Sequence, residues 1–191
     1  MGDGCTAAIL STDMSKAFDS LHPMLLLAKL EAYGLSQSAL SLMNSYFCDR
    51  LNRTRISNIT STWAETNRGC PQGSALGPLI WNIYQNDLSY EKMKSNLFMY
   101  ADDHQIYCSH KNPELAMREL RKDGNTASKW YDANFLKGNL SKYNTIVITK
   151  QPNQHLDVQI DGFTIKQVED LKLLGVTKSM TILPFRSTFP S

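Results

Sequence analysis

The chain has 191 residues, 42% of them hydrophobic, and its 20 basic and 18 acidic side chains leave a net charge of +2. This length predicts one domain with its own core, and the composition excludes a disordered chain. No cysteine pair has C-x-x-C spacing, which argues against a zinc site or redox motif at Cys5, Cys48, Cys70 and Cys108.

The longest apolar run, residues 24–28, is far shorter than the roughly 20 residues that cross a bilayer. The N-terminus lacks a signal-peptide pattern, and the sequence has no compact Lys and Arg tract of the nuclear-import type. We therefore expect a soluble intracellular protein with no membrane partner.

Taken in chain order, the first elements are a strand and two helices. Apolar residues 7–10 predict a buried strand that leads to Asp13. Residues 23–34 predict a helix that begins at a proline and ends at a glycine, and residues 36–49 predict a second helix that folds back on it. Alternating Thr, Ile and Trp over residues 52–67 predict two short antiparallel strands with an exposed basic face.

A loop at residues 69–73 then precedes a predicted helix over residues 74–87. Two apolar runs follow, and they predict a hairpin whose tip is the acidic pair Asp102 and Asp103; the runs are residues 96–101 and 105–108.

Residues 112–135 predict a long helix that starts at an Asn-Pro cap and that Gly124 favours bending. A strand is predicted at residues 145–149, a hairpin at 158–165 and a last strand at 171–177.

This element order predicts an α+β fold, a split βαβ (ferredoxin-like) antiparallel sheet with its helices packed on one face. In that topology the first strand lies beside the hairpin, so Asp13, Asp102 and Asp103 meet at one sheet edge. Clustered carboxylates repel one another unless a cation neutralises them, and Mg²⁺ suits such oxygen ligands. Two ions roughly 3.5–4 Å apart would support nucleotidyl transfer. An Asp-Asp pair between strands is also a common turn filler, so the pair alone decides nothing.

Five sequence blocks resemble the motifs of one known family. Tyr100-Ala101-Asp102-Asp103 resembles the Tyr-x-Asp-Asp motif of reverse transcriptases. Four further blocks resemble other motifs of that family, and all five occur in the order in which the family has them; the four are residues 13–19, 68–79, 139–142 and 173–176. The blocks are most similar to non-LTR (LINE-like, jockey-type) retrotransposon polymerases. The resemblance implies a polymerase palm fold.

The resemblance also implies roles for the acidic residues and one lysine. It makes Asp13, Asp102, Asp103 and Lys142 the candidate catalytic residues. The metal ligands would be the same three aspartates together with the backbone carbonyl of Met14. Lys142 would protonate the pyrophosphate leaving group or balance its charge, and otherwise it is a surface lysine.

By the same resemblance, a second set of residues would contact the nucleotide, namely Phe18, Gln72, Gly73, Tyr100 and Ala101. Phe18 would lie beneath the sugar and exclude a ribose 2′-hydroxyl, although a core aromatic explains it equally well. The primer grip would comprise Leu173, Leu174 and Gly175.

Several other residues have two open interpretations. Basic residues that either contact phosphates or are solvated are Arg53, Arg55, Arg68 and Lys137. Tryptophans that either stack on bases or pack in the core are Trp63, Trp81 and Trp130. His104 has no metal-ligand partners in the sequence and is interpreted as structural.

We expect residues 1–150 to be the palm, 151–177 its end with the primer-grip-like hairpin and strand, and 178–191 an irregular tail, without fingers or thumb. The expected function is RNA-directed DNA polymerase, and the alternative is an inactive palm remnant that folds and binds metal or nucleic acid without turnover. The implied partners are an RNA template, a DNA primer and dNTPs, with self-association through exposed palm surface. The implied cofactor is Mg²⁺, with Mn²⁺ as substitute, and the implied location is the nucleus.

Overall fold

The computed structural model describes residues 4–71, 73–149, 157–173 and 176–179. Its first elements follow the predicted order. Strand β1 is Thr6–Thr12, and the helices after it are α1 (Ala17–Ser20), α2 (Pro23–Ala32) and α3 (Gln37–Phe47). Pro23 occupies the first turn of α2, where a missing amide costs nothing, and the Ser36 hydroxyl caps α3 by accepting from the amide of Ala39.

Residues 50–66 form a two-stranded structure that we call the ribbon. The two strands predicted here are each interrupted, giving β2 (Arg50–Asn52), β3 (Arg55–Ile56), β4 (Ile59–Thr60) and β5 (Ala64–Thr66). Strand β2 pairs with β5 and β3 pairs with β4. Between the pairs Asn52–Ala64 and Arg55–Thr60, two residues of the first arm face three of the second, so the ladder is offset by one residue; there the Thr54 amide donates to the side chain of Ser61.

Helix α4 (Gly77–Gln85) begins three residues later than predicted and continues as a 3₁₀ turn, Asn86–Tyr90. Pro78 explains the late start, since proline is accommodated in the first turn of a helix and not farther inside. The predicted hairpin is present as β6 (Asn96–Tyr100) and β7 (Asp103–His110). The tip was predicted at Asp102 and Asp103, but Asp103 pairs with Tyr100, so the two-residue turn is Ala101–Asp102.

Helix α5 (Pro113–Ala133) continues without interruption through Gly124. A Cβ at Gly124 would lie 2.8 Å from Leu10 Cδ2 and 2.5 Å from Ile160 Cδ1, which shows that this glycine allows close packing of the helix on the sheet. The last strands are β8 (Asn144–Ile148), β9 (Val158–Ile160), β10 (Phe163–Ile165), β11 (Asp170–Leu173) and β12 (Val176–Ser179).

The predicted last strand, residues 171–177, is therefore two strands that pair antiparallel as a hairpin. The apolar and β-branched composition of this stretch suits two short arms as well as one long strand.

The central sheet has the strand order β6-β7-β1-β8, and all its neighbours are antiparallel. Alternate residues of β1 and β7 face the helices: Leu10 packs against Gly124 of α5, and Cys108 Sγ donates to the Ala116 carbonyl. The opposite face carries the exposed rings of Phe98 and Tyr100. The fold is thus the predicted α+β fold, with an antiparallel sheet and helices on one face.

Lys29 of α2 fastens the helices to one another. Its ammonium group donates to the Tyr84 carbonyl at 2.7 Å, to Asp87 Oδ1 at 2.8 Å and to Asn134 Oδ1 at 2.5 Å. Burial lowers the pKa of this lysine, with Asp87 acting in the opposite direction. The contacts fix α2 against α4 and the end of α5. Over the described residues, no helix combines the length and the apolar character needed to cross a membrane.

Candidate active site

Asp13 is the first residue after β1, and the backbone around it is held by the segment that follows α5. The Asp13 carbonyl accepts from the Asn139 amide at 2.8 Å, and the Ser15 amide donates to the Lys137 carbonyl at 2.9 Å. These two bonds flank the bridge between Met14 and Gly138 and do not use the Met14 carbonyl. The Met14 side chain itself is buried in the core.

The acidic turn lies at the same sheet edge as Asp13. Thr12 pairs with His104 in β7, which places Asp13 beside Asp103 at the strand ends. Ala101 has φ 50°, a left-handed conformation that a residue with a side chain rarely adopts. Strained turns of this kind persist only where neighbouring groups fix them.

Trp81 of α4 is the group that fixes the turn. Its indole Nε1 donates to the Ala101 carbonyl at 2.6 Å, and its ring packs on Phe18 with centroids 5.2 Å apart. Trp81 is almost completely buried, whereas Phe18 is partly buried at the core boundary. One tryptophan therefore connects the acidic turn to the aromatic that follows Asp13.

The loop before α4 packs directly on α1. The Cys70 amide donates to the Phe18 carbonyl at 3.0 Å, and the Gly69 amide donates to the Leu21 carbonyl at 2.8 Å. A Cβ at Gly69 would lie 2.8 Å from the Cα of Asp19, and its φ of 78° is left-handed, so only glycine fits there. Gly73 is exposed on the same loop, and Gln72 lies outside the described residues.

Charge at this edge is concentrated on three carboxylates and one lysine. Partial desolvation, followed by the charges of Asp102 and Asp13, raises the pKa of the Asp103 carboxyl. Lys142, on the 3₁₀ turn Leu140–Lys142, has its ammonium 3.4 and 3.5 Å from the two oxygens of Asp13. This ion pair is largely exposed, so it contributes at most about 1 kcal/mol to stability.

The donor set fits a hard divalent cation, but the carboxylates are not closed around one position. In the described part of the chain, no three His, Cys, Asp or Glu side chains are arranged to hold a metal ion. Mg²⁺ is usually held by one or two protein carboxylates together with substrate phosphates, so an open arrangement suits that ion. The negative charges of Asp102 and Asp13 add to the desolvation that raises the pKa of Asp103. A bound cation would offset this repulsion between the carboxylates.

A buried polar network lies directly behind the acidic edge. His104 is fully buried, with Nδ1 2.9 Å from the Tyr131 hydroxyl and Nε2 2.8 Å from Gln85 Oε1. The Tyr131 hydroxyl is also 3.1 Å from Thr12 Oγ1. The network therefore joins the residue before Asp13 to the residue after Asp103, and it fixes the two strands that carry these carboxylates.

His104 makes the stability of the fold depend on pH. Burial lowers its pKa from 6.5 to about 4, so the unfolded chain takes up this proton first as the pH falls. Stability should be complete above about pH 6.5 and decline to about pH 4, by about 3 kcal/mol in total. We expect the difference in unfolding free energy between the wild type and His104→Gln, measured by denaturant titration, to shrink over this interval. If the unfolding free energies of the two proteins depended equally on pH, His104 would not be the source of this pH dependence.

The sequence missed the contributions of Trp81 and His104 to this site. Trp81 was left open between base stacking and core packing, and His104 was interpreted as structural. Both side chains are buried, and each also contacts the acidic edge. One signal was available: His104 follows Asp103 in a strand, so alternation places it on the opposite, buried face.

The predicted primer-grip residues are only partly described. Leu173 ends β11, while Leu174 and Gly175 lie outside the described residues. The segment that leads into β11 extends the sheet beside β8, since the Thr145 amide donates to the Lys166 carbonyl and the Val168 amide to the Thr145 carbonyl.

Comparison with known proteins adds family information to this geometry. Residues 4–178 match a family model described as "Reverse transcriptase (RNA-dependent DNA polymerase)". The chain is 28% identical over 191 residues to the probable RNA-directed DNA polymerase from transposon BS of Drosophila melanogaster, covering 94% of this chain and 21% of that protein. It is 24% identical over 174 residues to the RNA-directed DNA polymerase from mobile element jockey of the same organism, covering 86% and 19%. The chain thus spans about a fifth of the length of these relatives.

Solved structures with a similar fold include two telomerases. Apo telomerase from Candida tropicalis superimposes with a TM-score of 0.58 at 12% identity, covering 91% of this chain and 35% of that one. Telomerase from Candida albicans, in complex with a fragment of telomeric RNA, gives 0.57 at 15% identity, covering 95% and 32%. At these identities the likeness concerns the fold alone.

Proposed function

Because this chain belongs to the reverse transcriptase (RNA-dependent DNA polymerase) family, as a reverse transcriptase domain of mobile elements, we propose that its acidic edge adds deoxynucleotides to a primer 3′-hydroxyl on an RNA template. The observation that carries this proposal is the meeting of Asp13, Asp102 and Asp103 at one sheet edge, from segments about 90 positions apart.

In this proposal, Asp13 and Asp102 hold the divalent cations, with Asp103 and the Met14 carbonyl as further ligands. Bound Mg²⁺ or Mn²⁺ would lower the pKa of the primer hydroxyl and stabilise the charge on the leaving oxygen. The three carboxylates supply the negative charge that recruits these ions. Their strands are fixed from behind by His104, so little reorganisation is needed at the site.

The remaining groups orient the substrates. The primer 3′-hydroxyl releases its proton to water, and its oxygen bonds to the α-phosphorus of the dNTP as the bond from that phosphorus to the bridging oxygen breaks and pyrophosphate leaves. Lys142, exposed and beside Asp13, is positioned to balance charge on the leaving group. The backbone of Gly73 and the side chains of Gln72 and Tyr100 would line the nucleotide and template, and Leu173 to Gly175 would hold the primer.

The test is primer extension on a poly-rA template with an oligo-dT primer, in Mg²⁺ or Mn²⁺. We expect metal-dependent incorporation of dTTP and none with EDTA. A folded chain that incorporates nothing with either metal contradicts the proposal and favours a palm that no longer turns over.

Phe18 gives a separate prediction for sugar selectivity. Its ring lies at the site boundary against Trp81, where it would exclude a 2′-hydroxyl. Phe18→Ala should incorporate UTP with an efficiency much closer to that for dTTP, a gain of about 10-fold or more in relative kcat/KM. If the discrimination between dTTP and UTP is unchanged in a variant that still extends the primer, Phe18 is a core residue only.

A further inference from the structure

Tyr143 carries a buried hydroxyl group that the stability of the core does not explain. The residue lies between the 3₁₀ turn and β8, its side chain is 3% exposed, and it belongs to the hydrophobic core. Among the described residues, its hydroxyl has no hydrogen-bond partner. Burying a hydroxyl without a partner opposes folding, and a phenylalanine would fill nearly the same volume without that penalty. A buried polar group of this kind, close to a candidate active site, therefore requires a functional explanation.

The hydroxyl contacts the segment that connects α5 to β8, residues 137–142, which we call the strap. Its oxygen occupies the space that a Cβ on Gly138 would need, and such a Cβ would also lie 3.1 Å from Tyr143 Cζ. Gly138 is not among the residues with a left-handed φ, so this position does not require glycine for its backbone conformation. It requires glycine because the hydroxyl lies against it.

The strap holds the backbone on both sides of Met14. Two hydrogen bonds, 2.8 and 2.9 Å long, flank the bridge between Met14 and Gly138 and join the strap to residues 13–15. The strap also carries Lys142, whose ammonium lies 3.4 and 3.5 Å from the two carboxylate oxygens of Asp13. Because Tyr143 determines how closely the strap approaches the core, it also affects the placement of the Met14 carbonyl and the Asp13 carboxylate.

Tyr143 is not suited to act as an acid or a base. Burial, followed by the charges of Tyr131, Asp161, Asp13 and Asp132, raises the pKa of its hydroxyl, so the group stays neutral near pH 7. The side chain is also closed off from solvent and from a substrate at the sheet edge. Its effect on the site is therefore exerted through packing against Gly138.

We propose that Tyr143 is a positioning residue, whose hydroxyl supports Gly138 and through the strap places the Met14 carbonyl and the Asp13 carboxylate for binding a divalent cation. The cation rests on the proposed function, whereas the contact between the hydroxyl and the strap does not. The chain accepts an unsatisfied buried hydroxyl here because the contact improves the geometry of the site at the expense of stability.

The first measurement is made without metal, by amide hydrogen exchange of the full chain in EDTA. The amides of Ser15 and Asn139 report the two bonds that flank the bridge. Tyr143→Phe leaves a gap under Gly138, so both amides should exchange about 10-fold or more faster than in the wild type. The midpoint of denaturant unfolding should be no lower than that of the wild type, since an unsatisfied hydroxyl is removed. Wild-type exchange at both amides, or a lowered midpoint, would overturn the proposal.

The second measurement is the affinity for Mn²⁺, from the electron paramagnetic resonance of the free ion. Tyr143→Phe should raise the Kd about 10-fold, the usual effect of losing a group that orients metal ligands. Gly138→Ala should do the same, because its Cβ would collide with the hydroxyl and displace the strap. In Gly138→Ala/Tyr143→Phe the added methyl takes the space that the hydroxyl leaves, so this variant should bind Mn²⁺ more tightly than either single variant. A double variant that binds no more tightly than the single ones would overturn the proposal.

The matched control is Tyr46→Phe, which removes a hydroxyl that has a partner. The Tyr46 hydroxyl donates to Ser74 Oγ at 2.5 Å, outside the strap. This variant should unfold at a lower denaturant concentration, because it loses a hydrogen bond. Exchange at Ser15 and Asn139 should stay at the wild-type rates, and the Kd for Mn²⁺ should change less than about 2-fold. If the control matched Tyr143→Phe in exchange and affinity, the effects would not depend on the strap, which would overturn the proposal.

The positioning of the strap and the proposed function fail separately. If the wild type binds no Mn²⁺, the proposed function is contradicted, and exchange in EDTA still decides whether Tyr143 supports the strap. If the wild type and Tyr143→Phe bind Mn²⁺ equally tightly, the proposed function stands and the positioning role of Tyr143 is overturned.

Discussion

Asp102→Asn is expected to lower primer extension by about 1,000-fold or more, with little change in stability. Asp102 lies in the two-residue turn between β6 and β7, partly exposed, so its substitution leaves no cavity. The amide keeps the shape of the side chain but loses the negative charge that a divalent cation requires. The measurement is single-nucleotide extension by the wild type and the variant, with unfolding curves to verify the fold.

The matched control is Asp132→Asn. Asp132 is an exposed aspartate in the last turn of α5 and belongs to none of the segments that form the acidic edge. It should retain extension within about 3-fold of the wild type. If Asp102→Asn retained more than a tenth of wild-type extension, or if both variants lost activity equally, Asp102 would not be a metal ligand.

The largest effect on stability is expected at Trp81. Trp81→Ala removes a nearly completely buried indole, and such substitutions cost about 3–5 kcal/mol. Trp81→Phe keeps most of the packing on Phe18 but removes the donor to the Ala101 carbonyl, which should cost about 1–3 kcal/mol. Because the turn that carries Asp102 then loses its anchor, we expect Trp81→Phe to lower extension about 10- to 100-fold.

Trp130→Phe is the control that separates the loss of buried packing from the loss of the indole bond to the Ala101 carbonyl. Trp130 is buried on α5 and packs edge-on against Tyr131, and its indole makes no hydrogen bond to Ala101. It should lose stability comparably to Trp81→Phe while keeping extension near the wild-type rate. Similar activity in the two variants, measured at a temperature where both are folded, would show that the indole bond to Ala101 does not position the turn.

The sequence predicted the sheet because its strands have distinct local patterns. The run before Asp13, the hairpin around Asp102 and the strand after α5 each have clear boundaries, and their order allows few topologies. Strand pairing then determines that Asp13 lies beside Asp103. This is why the acidic edge was predictable although its residues are far apart in the chain.

Contacts between side chains of different elements were not predictable in the same way. The bond from Trp81 to Ala101 depends on how α4 packs on the hairpin, and no periodicity encodes that angle. The left-handed Ala101 likewise has no signal in its residue type, since glycine or asparagine is usual there. The ribbon differed because its second arm has one residue more than its first between the two ladders, an offset that the alternating pattern does not reveal.

We propose that Asp13 and Asp102 share divalent cations at the sheet edge, and Mn²⁺ binding tests this proposal most directly. Electron paramagnetic resonance of free Mn²⁺ would be used to titrate the wild-type chain, Asp13→Asn/Asp102→Asn, and the control Glu91→Gln/Asp132→Asn, which removes the same charge from exposed positions. We predict saturable binding to the wild type and the control, and binding weaker by about 10-fold or more in the Asp13 and Asp102 variant. Equal Mn²⁺ affinity in all three proteins would contradict the claim.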